Sequence, residues 1–231
     1  MNTAPELTVV YRDEHLLVVD KPWGLVVHPA RGHREGTLAQ LLAGQAGGGD
    51  PQRAGIVHRL DRDTSGLLVV ARDQQTLLLL QGALAARRIQ REYLALVQGR
   101  PPARTGTIEA PIGRDPRVRT RMSIGGNAAR DARTHFTLKR SLDGYSLLSL
   151  RLETGRTHQI RVHLRAIGHP VCGDPEYGGS GLLGLERQFL HATRLAFEHP
   201  ITGAPIDLES ELPQDLKAAL ARAEEGTGQT C

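Results

Sequence analysis

Cysteine, aromatic residues and long apolar runs are all scarce in this chain of 231 residues, and each scarcity excludes a class of protein. The two cysteines, Cys172 and Cys231, are too few for a disulfide framework and lack the spacing of a zinc site. No apolar stretch approaches the roughly 20 residues that a membrane-spanning helix needs, and residues 1–6 lack the charged and apolar regions of a signal peptide. We therefore expect a protein of the reducing cytoplasm that has no membrane partner.

Aromatic residues make up 3% of the chain and hydrophobic residues as a whole make up 39%, so aliphatic side chains must fill the interior. A single body of this length buries roughly 70–75% of the surface that its unfolded chain exposes. The composition therefore indicates a globular protein with a substantial hydrophobic core.

Hydrophobic patterns predict a mixed α+β fold with a dominant antiparallel sheet. Apolar and polar residues alternate over 145–154, and a short turn pairs this segment with 134–140 as a hairpin. Between the predicted elements, residues 44–54 are rich in glycine and predict a mobile loop. The remaining strands are predicted at 8–11, 16–20, 67–71, 91–98, 189–197 and 205–209, and the helices at 37–42, 74–88, 157–167 and 213–223. We expect one domain over residues 1–223 and a disordered tail over 224–231.

The predicted helix at 157–167 has two different faces. Ile160, Leu164 and Ile167 recur at helical spacing and are expected to pack against the core. His158, Arg161 and Arg165 form a polar stripe on another face, and Gly168 ends the helix. The polar stripe is therefore a candidate for function.

A basic segment covers residues 114–140, where eight basic and two acidic residues give a net charge of +6, against +4 for the whole chain. Such a concentration of charge suits contact with nucleic-acid phosphates. Arg117, Arg119 and Arg121 alternate at its centre. The alternative is a solvated, arginine-rich surface with no ligand.

The most informative string is the polar loop at 58–66, His-Arg-Leu-Asp-Arg-Asp-Thr-Ser-Gly, which comes directly before the apolar run 67–71. A loop entering a buried strand can hold a reactive carboxylate still while leaving its oxygens accessible. Asp61 is the candidate, since a carboxylate can act on a sugar as a nucleophile or as a base. Asp63, beside Thr-Ser-Gly, is more typical of a turn, and a turn role is the alternative for Asp61 as well.

Three strings resemble the RluA-type family of pseudouridine synthases. They are the loop at 58–66, the segment 154–164 (Thr-Gly-Arg-Thr-His-Gln-Ile-Arg-Val-His-Leu) and the segment 20–29 (Asp-Lys-Pro-Trp-Gly-Leu-Val-Val-His-Pro). The resemblance covers roughly residues 9–213. It implies an enzyme that isomerises uridine in rRNA or tRNA to pseudouridine, with a mixed, mainly antiparallel central sheet, a cleft between two halves, no cofactor, no metal and no required protein partner.

The resemblance also implies roles for individual residues. Asp61 takes the position of the indispensable carboxylate and Arg161 that of its cationic partner, since a nearby guanidinium keeps a carboxylate charged. Tyr93 matches the tyrosine that stacks on the uracil, and Arg59 would help to displace the flipped base. The alternatives are strand packing for Tyr93 and a solvated basic helix face for Arg161. Further candidate RNA contacts are His58, Arg156, His158 and Lys21, together with Arg117, Arg119 and Arg121.

The sequence leaves the chemical role of Asp61 and two other functions open. Asp61 can attack C1′ of the ribose or remove a proton from C2′. Only 19 residues precede the segment 20–29, so we expect the catalytic domain without the RNA-binding extension that many relatives carry before it. Two other functions are an RNA-binding module without turnover, which the Asp61, Tyr93 and Arg161 set disfavours, and a metal-dependent hydrolase. The latter is disfavoured because His158 and His163 lack a metal-ligand pattern.

Overall fold

The computed structural model describes residues 7–29 and 35–226. The chain forms two compact units, one comprising Met1–Arg91 with Ala192–Glu211 and the other Glu92–His191 with Leu212–Cys231. Of the tail predicted to be disordered, residues 227–231 lie outside the described part of the chain, as do residues 1–6.

The described residues contain strands and α-helices in the following chain order: β1 (Thr8–Arg12), β2 (Leu16–Lys21), α1 (Leu38–Leu41), β3 (Ser65–Ala71), α2 (Gln74–Ala85), β4 (Gln90–Gln98), β5 (Thr105–Glu109), β6 (Ile112–Arg114), β7 (Met122–Ile124), β8 (Asn127–Arg130), β9 (Arg133–Leu142), β10 (Tyr145–Leu152), α3 (Gln159–Ala166), β11 (Leu190–Glu198), β12 (Pro205–Glu209) and α4 (Gln214–Glu225). Among them, β1–β2, β2–β3, β4–β10, β9–β10, β5–β9 and β11–β12 pair in antiparallel fashion.

In the first unit the strands lie in the order β1, β2, β3, β11, and β12 pairs with β11. The run Leu16–Val19 in β2 and all seven residues of β3 are buried, so both strands are covered on both faces. This explains why they appear in the sequence as continuous apolar runs rather than as alternating patterns. Leu77 and Leu80 of α2 pack against one face of this sheet, in a cluster with Val18 and Val69.

A glycine is required where β3 begins. Gly66 has a φ of +113°, and a Cβ at this position would lie 2.2 Å from the backbone oxygen of Ala192 in β11. The glycine-rich loop at 44–54 also contains a close approach, because a Cβ at Gly47 would lie 2.3 Å from the backbone oxygen of Arg72. The loop therefore packs directly against the chain that leaves β3.

In the second unit the larger set of strands lies in the order β4, β10, β9, β5, and a small sheet lies in the order β7, β6, β8. Helix α3 packs on the small sheet through Val162, which joins Ile112, Ala132 and Tyr177 in one buried cluster. This packing brings the basic segment and the helix of the second motif together within one unit.

The α+β class with a mixed, mainly antiparallel sheet is confirmed. One helix ends earlier than the sequence predicted, and the structure shows why. Helix α2 ends at Ala85 rather than at residue 88, because Arg87 takes a positive φ of 60° and the N–H groups of Arg87 and Arg88 bond back to the carbonyls of Leu84 and Ala83. This is a Schellman motif without its usual glycine.

Other predictions need correction. Ile167 was expected in the core, but it follows α3 and is 37% exposed, whereas Val162 and His163 are buried. Helix α4 continues to Glu225, so the first two residues of the predicted tail are helical. The strands β5, β6, β7 and β8 were not predicted; the last of them is exposed along its whole length and therefore shows no apolar alternation.

Candidate active site

The loop that carries Asp61 lies immediately before β3, as the sequence predicted. The backbone N–H of Thr64 donates to the carbonyl of Asp61 over 3.2 Å and closes a turn. Asp61 is half-buried, while Thr64 and Ser65 behind it are buried. The carboxylate therefore sits on a constrained turn and retains access to solvent.

A buried lysine holds this loop from the adjacent strand. Lys21, at the end of β2, is fully buried, and its ammonium donates to the carbonyl oxygens of Pro22, Leu25 and Arg62, each over 2.9 Å. Since Arg62 directly follows Asp61, the Lys21 ammonium fixes the backbone next to the carboxylate. This geometry favours a positioning role for Lys21 over the RNA contact that the resemblance implied.

His58 lies inside the unit. Its Nε2 accepts the backbone N–H of Val69 over 3.4 Å, and burial together with the nearby guanidinium of Arg91 lowers the pKa of His58 to about 3. The imidazole is therefore neutral at physiological pH. Arg59, the next residue, is exposed, and its guanidinium lies 3.4 Å from Nε2 of His28. Of these two neighbours, Arg59 is the one accessible to RNA.

The depressed pKa of His58 predicts acid sensitivity of folding. Below about pH 6.5 the unfolded chain binds a proton at His58 that the native state does not bind until about pH 3, so stability falls as pH falls through this window. Chemical denaturation measured from pH 7 to pH 4 should show this decline. In His58→Gln the slope should be shallower by about 1.4 kcal/mol per pH unit, the value for one proton. An unchanged slope would assign the acid sensitivity to other groups.

Tyr93 lies in the middle of β4, opposite Leu150 of β10, and is 4% exposed. Its ring is therefore anchored in the sheet of the second unit. Burial of most of the ring agrees with the strand-packing role that was the alternative to stacking on uracil.

Arg161 is also buried, although it belongs to the stripe that was predicted to be polar. Its guanidinium donates to Asp174 through Nε (2.7 Å) and Nη2 (2.9 Å), and Nη2 also donates to Glu176 over 2.6 Å. The Asp174 side chain has no exposed area. The Tyr177 ring centroid lies 4.9 Å from the guanidinium carbon. Two carboxylates and one aromatic face thus fix the orientation of Arg161.

Gln159 fixes the first turn of the helix that carries Arg161. Its side-chain oxygen accepts from the Thr154 hydroxyl (2.8 Å) and the Arg156 N–H (2.9 Å). Its amide nitrogen donates to the Arg133 carbonyl and the Thr134 hydroxyl, each over 3.0 Å. All the hydrogen-bonding groups of this buried amide are therefore used, and α3 is tied to β9. Sequence reasoning missed this residue, although it lies inside the second motif.

The two histidines of the second motif make internal contacts. His163 is buried, with Nδ1 2.9 Å from the Thr134 hydroxyl and Nε2 3.0 Å from the carbonyl oxygen of Ala110, and burial lowers its pKa. His158 takes a positive φ of 55° just before α3, and its Nδ1 lies 2.9 Å from the Tyr177 hydroxyl. Arg156 is half-buried and donates to the Asp131 carbonyl.

The predicted RNA-contacting arginines lie on the connection between β6 and β7. Arg117 and Arg119 are exposed and Arg121 is half-buried. Asp115 accepts the backbone N–H groups of Arg117 and Val118, at 2.8 and 2.9 Å, so the acidic residue of this connection is engaged by its own loop. The side chains of Arg117 and Arg119 are left exposed to solvent.

The structure therefore brings together two sets of predicted residues, each within its own unit. Asp61 and Arg59 share a loop supported by Lys21 and His58, and Arg161 shares a helix terminus with His158 and Arg156. In the described part of the chain no group of three or more histidine, cysteine, aspartate or glutamate side chains is placed to hold a metal ion. Over residues 7–29 and 35–226, no helix has both the length and the apolar character needed to cross a membrane.

Comparison with known proteins identifies the family to which this chain belongs. The model of the RNA pseudouridylate synthase family matches residues 15–166. A protein of Chloroflexus aurantiacus named as an uncharacterized RNA pseudouridine synthase is 53% identical over 89% of this chain and 66% of its own length. The ribosomal large subunit pseudouridine synthase D of Xanthomonas campestris is 44% identical over 95% of this chain and 70% of its own length.

A solved structure is similar as well. Human RNA pseudouridylate synthase domain containing 1 aligns with 100% of this chain and 98% of its own, with 28% identity and a TM-score of 0.73. The chain belongs to the RNA pseudouridylate synthase family. This confirms the resemblance that the motifs at 58–66 and 154–164 indicated. The chain spans about two thirds of the length of the curated relatives that it matches.

Proposed function

We propose that the protein is an RNA pseudouridine synthase in which Asp61 is the essential carboxylate. The observation that carries this proposal is the position of Asp61 on a turn held by the buried Lys21, in a chain whose family isomerises uridine. A reactive carboxylate must keep its position within a fraction of an ångström while substrate enters, and this support provides that rigidity.

In the proposed reaction the N1–C1′ bond of a uridine breaks, the uracil rotates, and a C5–C1′ bond forms. The proton on C5 is lost and N1 gains one, so atoms and electrons balance without an oxidant or an energy source. Asp61 either adds to C1′ or removes a proton from C2′. Tyr93 supports the detached uracil by stacking, and Arg161 supplies the positive charge that keeps a carboxylate ionised.

The substrate that we propose is large-subunit ribosomal RNA, since relatives that are 42–46% identical carry the name ribosomal large subunit pseudouridine synthase D. Transfer RNA is the second candidate. We place the reaction in the cytoplasm, which fits the free thiol of Cys172; burial raises the pKa of this thiol to about 12, so it carries no thiolate there.

Mapping of pseudouridine on two classes of RNA tests the proposed function. Purified protein is incubated with transcribed large-subunit rRNA and, separately, with a set of transcribed tRNAs, and pseudouridine is mapped at single-nucleotide resolution by carbodiimide modification and primer extension. We expect modification at a small number of uridines in the rRNA. Modification of tRNA alone would move the proposed substrate to tRNA, and the absence of pseudouridine from both would contradict the proposed function.

The arginines of the β6–β7 connection should contribute to RNA affinity and not to the chemical step. Replacing Arg117, Arg119 and Arg121 together by Gln should weaken RNA binding and reduce the salt dependence of log K by about 0.7–0.9 for each phosphate that is no longer neutralised. Phosphate contacts position RNA without taking part in bond making, so single-turnover rates at saturating RNA should stay near those of the unchanged protein. Binding isotherms at several salt concentrations check this, and an unchanged salt slope would show that these side chains are only solvated.

A further inference from the structure

A surface pocket of about 350 Å³ opens within the second unit, between α3 and the connection from β6 to β7. Val118, Ile124 and Val162 provide apolar walls, and Arg117, Arg121 and Arg165 contribute guanidinium groups. Asp61, Tyr93 and Arg161 do not line it. A ligand in this pocket would therefore be bound by residues outside the proposed catalytic set.

The pocket is held in shape by internal contacts. The Tyr177 hydroxyl accepts the backbone N–H of Met122 over 2.9 Å and lies 2.9 Å from Nδ1 of His158. Tyr177 and Val162 are buried in one cluster, and Met122 packs against that cluster. The strand β7 is thus fixed to the helix α3. The pocket wall is therefore already formed before a ligand binds.

Two of the apolar side chains that line this pocket are exposed to solvent. Val118 is 41% exposed and Ile124 is 40% exposed. Neither belongs to the buried cluster that Val162 forms with Ile112, Ala132 and Tyr177, so packing in that cluster does not account for them. Exposed apolar groups that line a concavity provide a surface on which a flat, weakly polar ligand gains contact area.

The net positive charge around the pocket favours an anionic ligand. Three arginines line it against one acidic residue, Asp115, whose carboxylate accepts the backbone N–H groups of Arg117 and Val118 and so faces its own loop. Those hydrogen bonds also lower the pKa of Asp115, so it stays ionised and the net charge of the lining stays at about +2. An apolar slot with a cationic rim matches a nucleobase joined to a phosphate.

We infer that this pocket binds one unstacked nucleotide of the substrate RNA, other than the uridine that is isomerised. The base lies against Val118, Ile124 and the aromatic edge of Tyr177, and its phosphate meets the arginines. The volume is at the lower end of that of small-ligand sites, which admits a single nucleotide and excludes a duplex. The inference rests on the proposed function, since it takes RNA as the substrate, and it adds a second point of recognition.

Met122 provides a direct spectroscopic test, because the chain has only two methionines and the other is Met1. Protein labelled with ¹³C at the methionine methyl groups gives two signals, and Met1 serves as the internal reference. Nucleoside 5′-monophosphates should shift the Met122 signal, whereas ribose 5-phosphate and inorganic phosphate at matched ionic strength should not. Equal shifts with ribose 5-phosphate, or no shift with any nucleotide, would overturn the inference.

A filling variant tests the same site with RNA. Ala166 is exposed and lines the pocket, so Ala166→Trp should occupy it without changing the charge and should raise the dissociation constant for transcribed large-subunit rRNA by at least about fivefold, the lower limit for loss of one stacked base. Ala85→Trp, at an exposed position of α2, is the matched control and should bind normally. Normal binding by Ala166→Trp would overturn the inference. Because both tests measure binding, they remain interpretable even if no pseudouridine forms, which would count against the proposed function alone.

Discussion

Asp61→Asn should abolish pseudouridine formation and leave RNA binding intact. The amide has nearly the same size as the carboxylate and still forms hydrogen bonds, but it carries no negative charge and cannot act as a nucleophile or as a base. The turn around it is closed by backbone atoms, through the Thr64 N–H and the Asp61 carbonyl, so the loop should keep its conformation. Single-turnover assays with excess enzyme, together with binding isotherms, measure both quantities.

Asp63→Asn is the matched control for this experiment. Asp63 lies two residues away on the same loop, and its two carboxylate oxygens accept from the guanidinium of Arg62 at 2.9 Å each. The Arg62 side chain is 52% exposed and the Asp63 side chain is 22% exposed, so breaking this pair should change stability by about 1 kcal/mol. We expect Asp63→Asn to retain turnover. Measurable pseudouridine from Asp61→Asn would remove the carboxylate from the centre of the mechanism.

Arg161→Ala should have the second largest effect, on both stability and activity. The change leaves the fully buried Asp174 without its bidentate partner, and an uncompensated buried charge costs about 3–5 kcal/mol. Turnover should fall as well, because Arg161 is the proposed source of positive charge for the reactive carboxylate. Chemical denaturation gives the free energy of unfolding, and single-turnover assays give the rate.

Two further variants separate these effects. Arg165→Ala, one turn further along α3 at an exposed position, should leave the free energy of unfolding almost unchanged. The double variant Arg161→Ala with Asp174→Asn removes the stranded charge and should recover much of the missing stability without recovering activity. Recovery of both would reduce Arg161 to a purely structural residue, and a full rate in Arg161→Ala would move the partner role to another arginine.

Much of the fold could be predicted because its strongest signals are local. The hairpin of β9 and β10 appears as alternating residues around a glycine turn, and the apolar run of β3 identifies a strand that is buried on both faces. Asp73 caps α2 in the structure as its position in the sequence indicates, through a 2.8 Å bond from the Thr76 N–H. Each of these features depends on residues close together in the chain.

The features that could not be predicted depend on distant contacts. The small sheet requires Gly113 and Gly126 to meet, since a Cβ on Gly113 would lie 2.4 Å from the Gly126 oxygen. Its strands are only 3 or 4 residues long, which is too short for a recognisable alternation of apolar residues. Likewise, the resemblance indicated Arg161 as the cationic partner of Asp61 but did not reveal that Asp174 accepts two of its hydrogen bonds. Asp174 lies 13 residues further along the chain than Arg161, outside the motif at 154–164.

The link from Lys21 to the Asp61 loop has a consequence for protein engineering. The hydrogen bond from Nζ to the Arg62 carbonyl joins positions 41 residues apart, and Lys21 also pairs with Gly66 across β2 and β3. A graft of the nine-residue loop alone onto another scaffold would therefore carry the reactive group without its support. The smallest segment that could be grafted must include the end of β2 and the beginning of β3, with their register preserved. A buried lysine ammonium can then donate to a backbone carbonyl of the grafted loop.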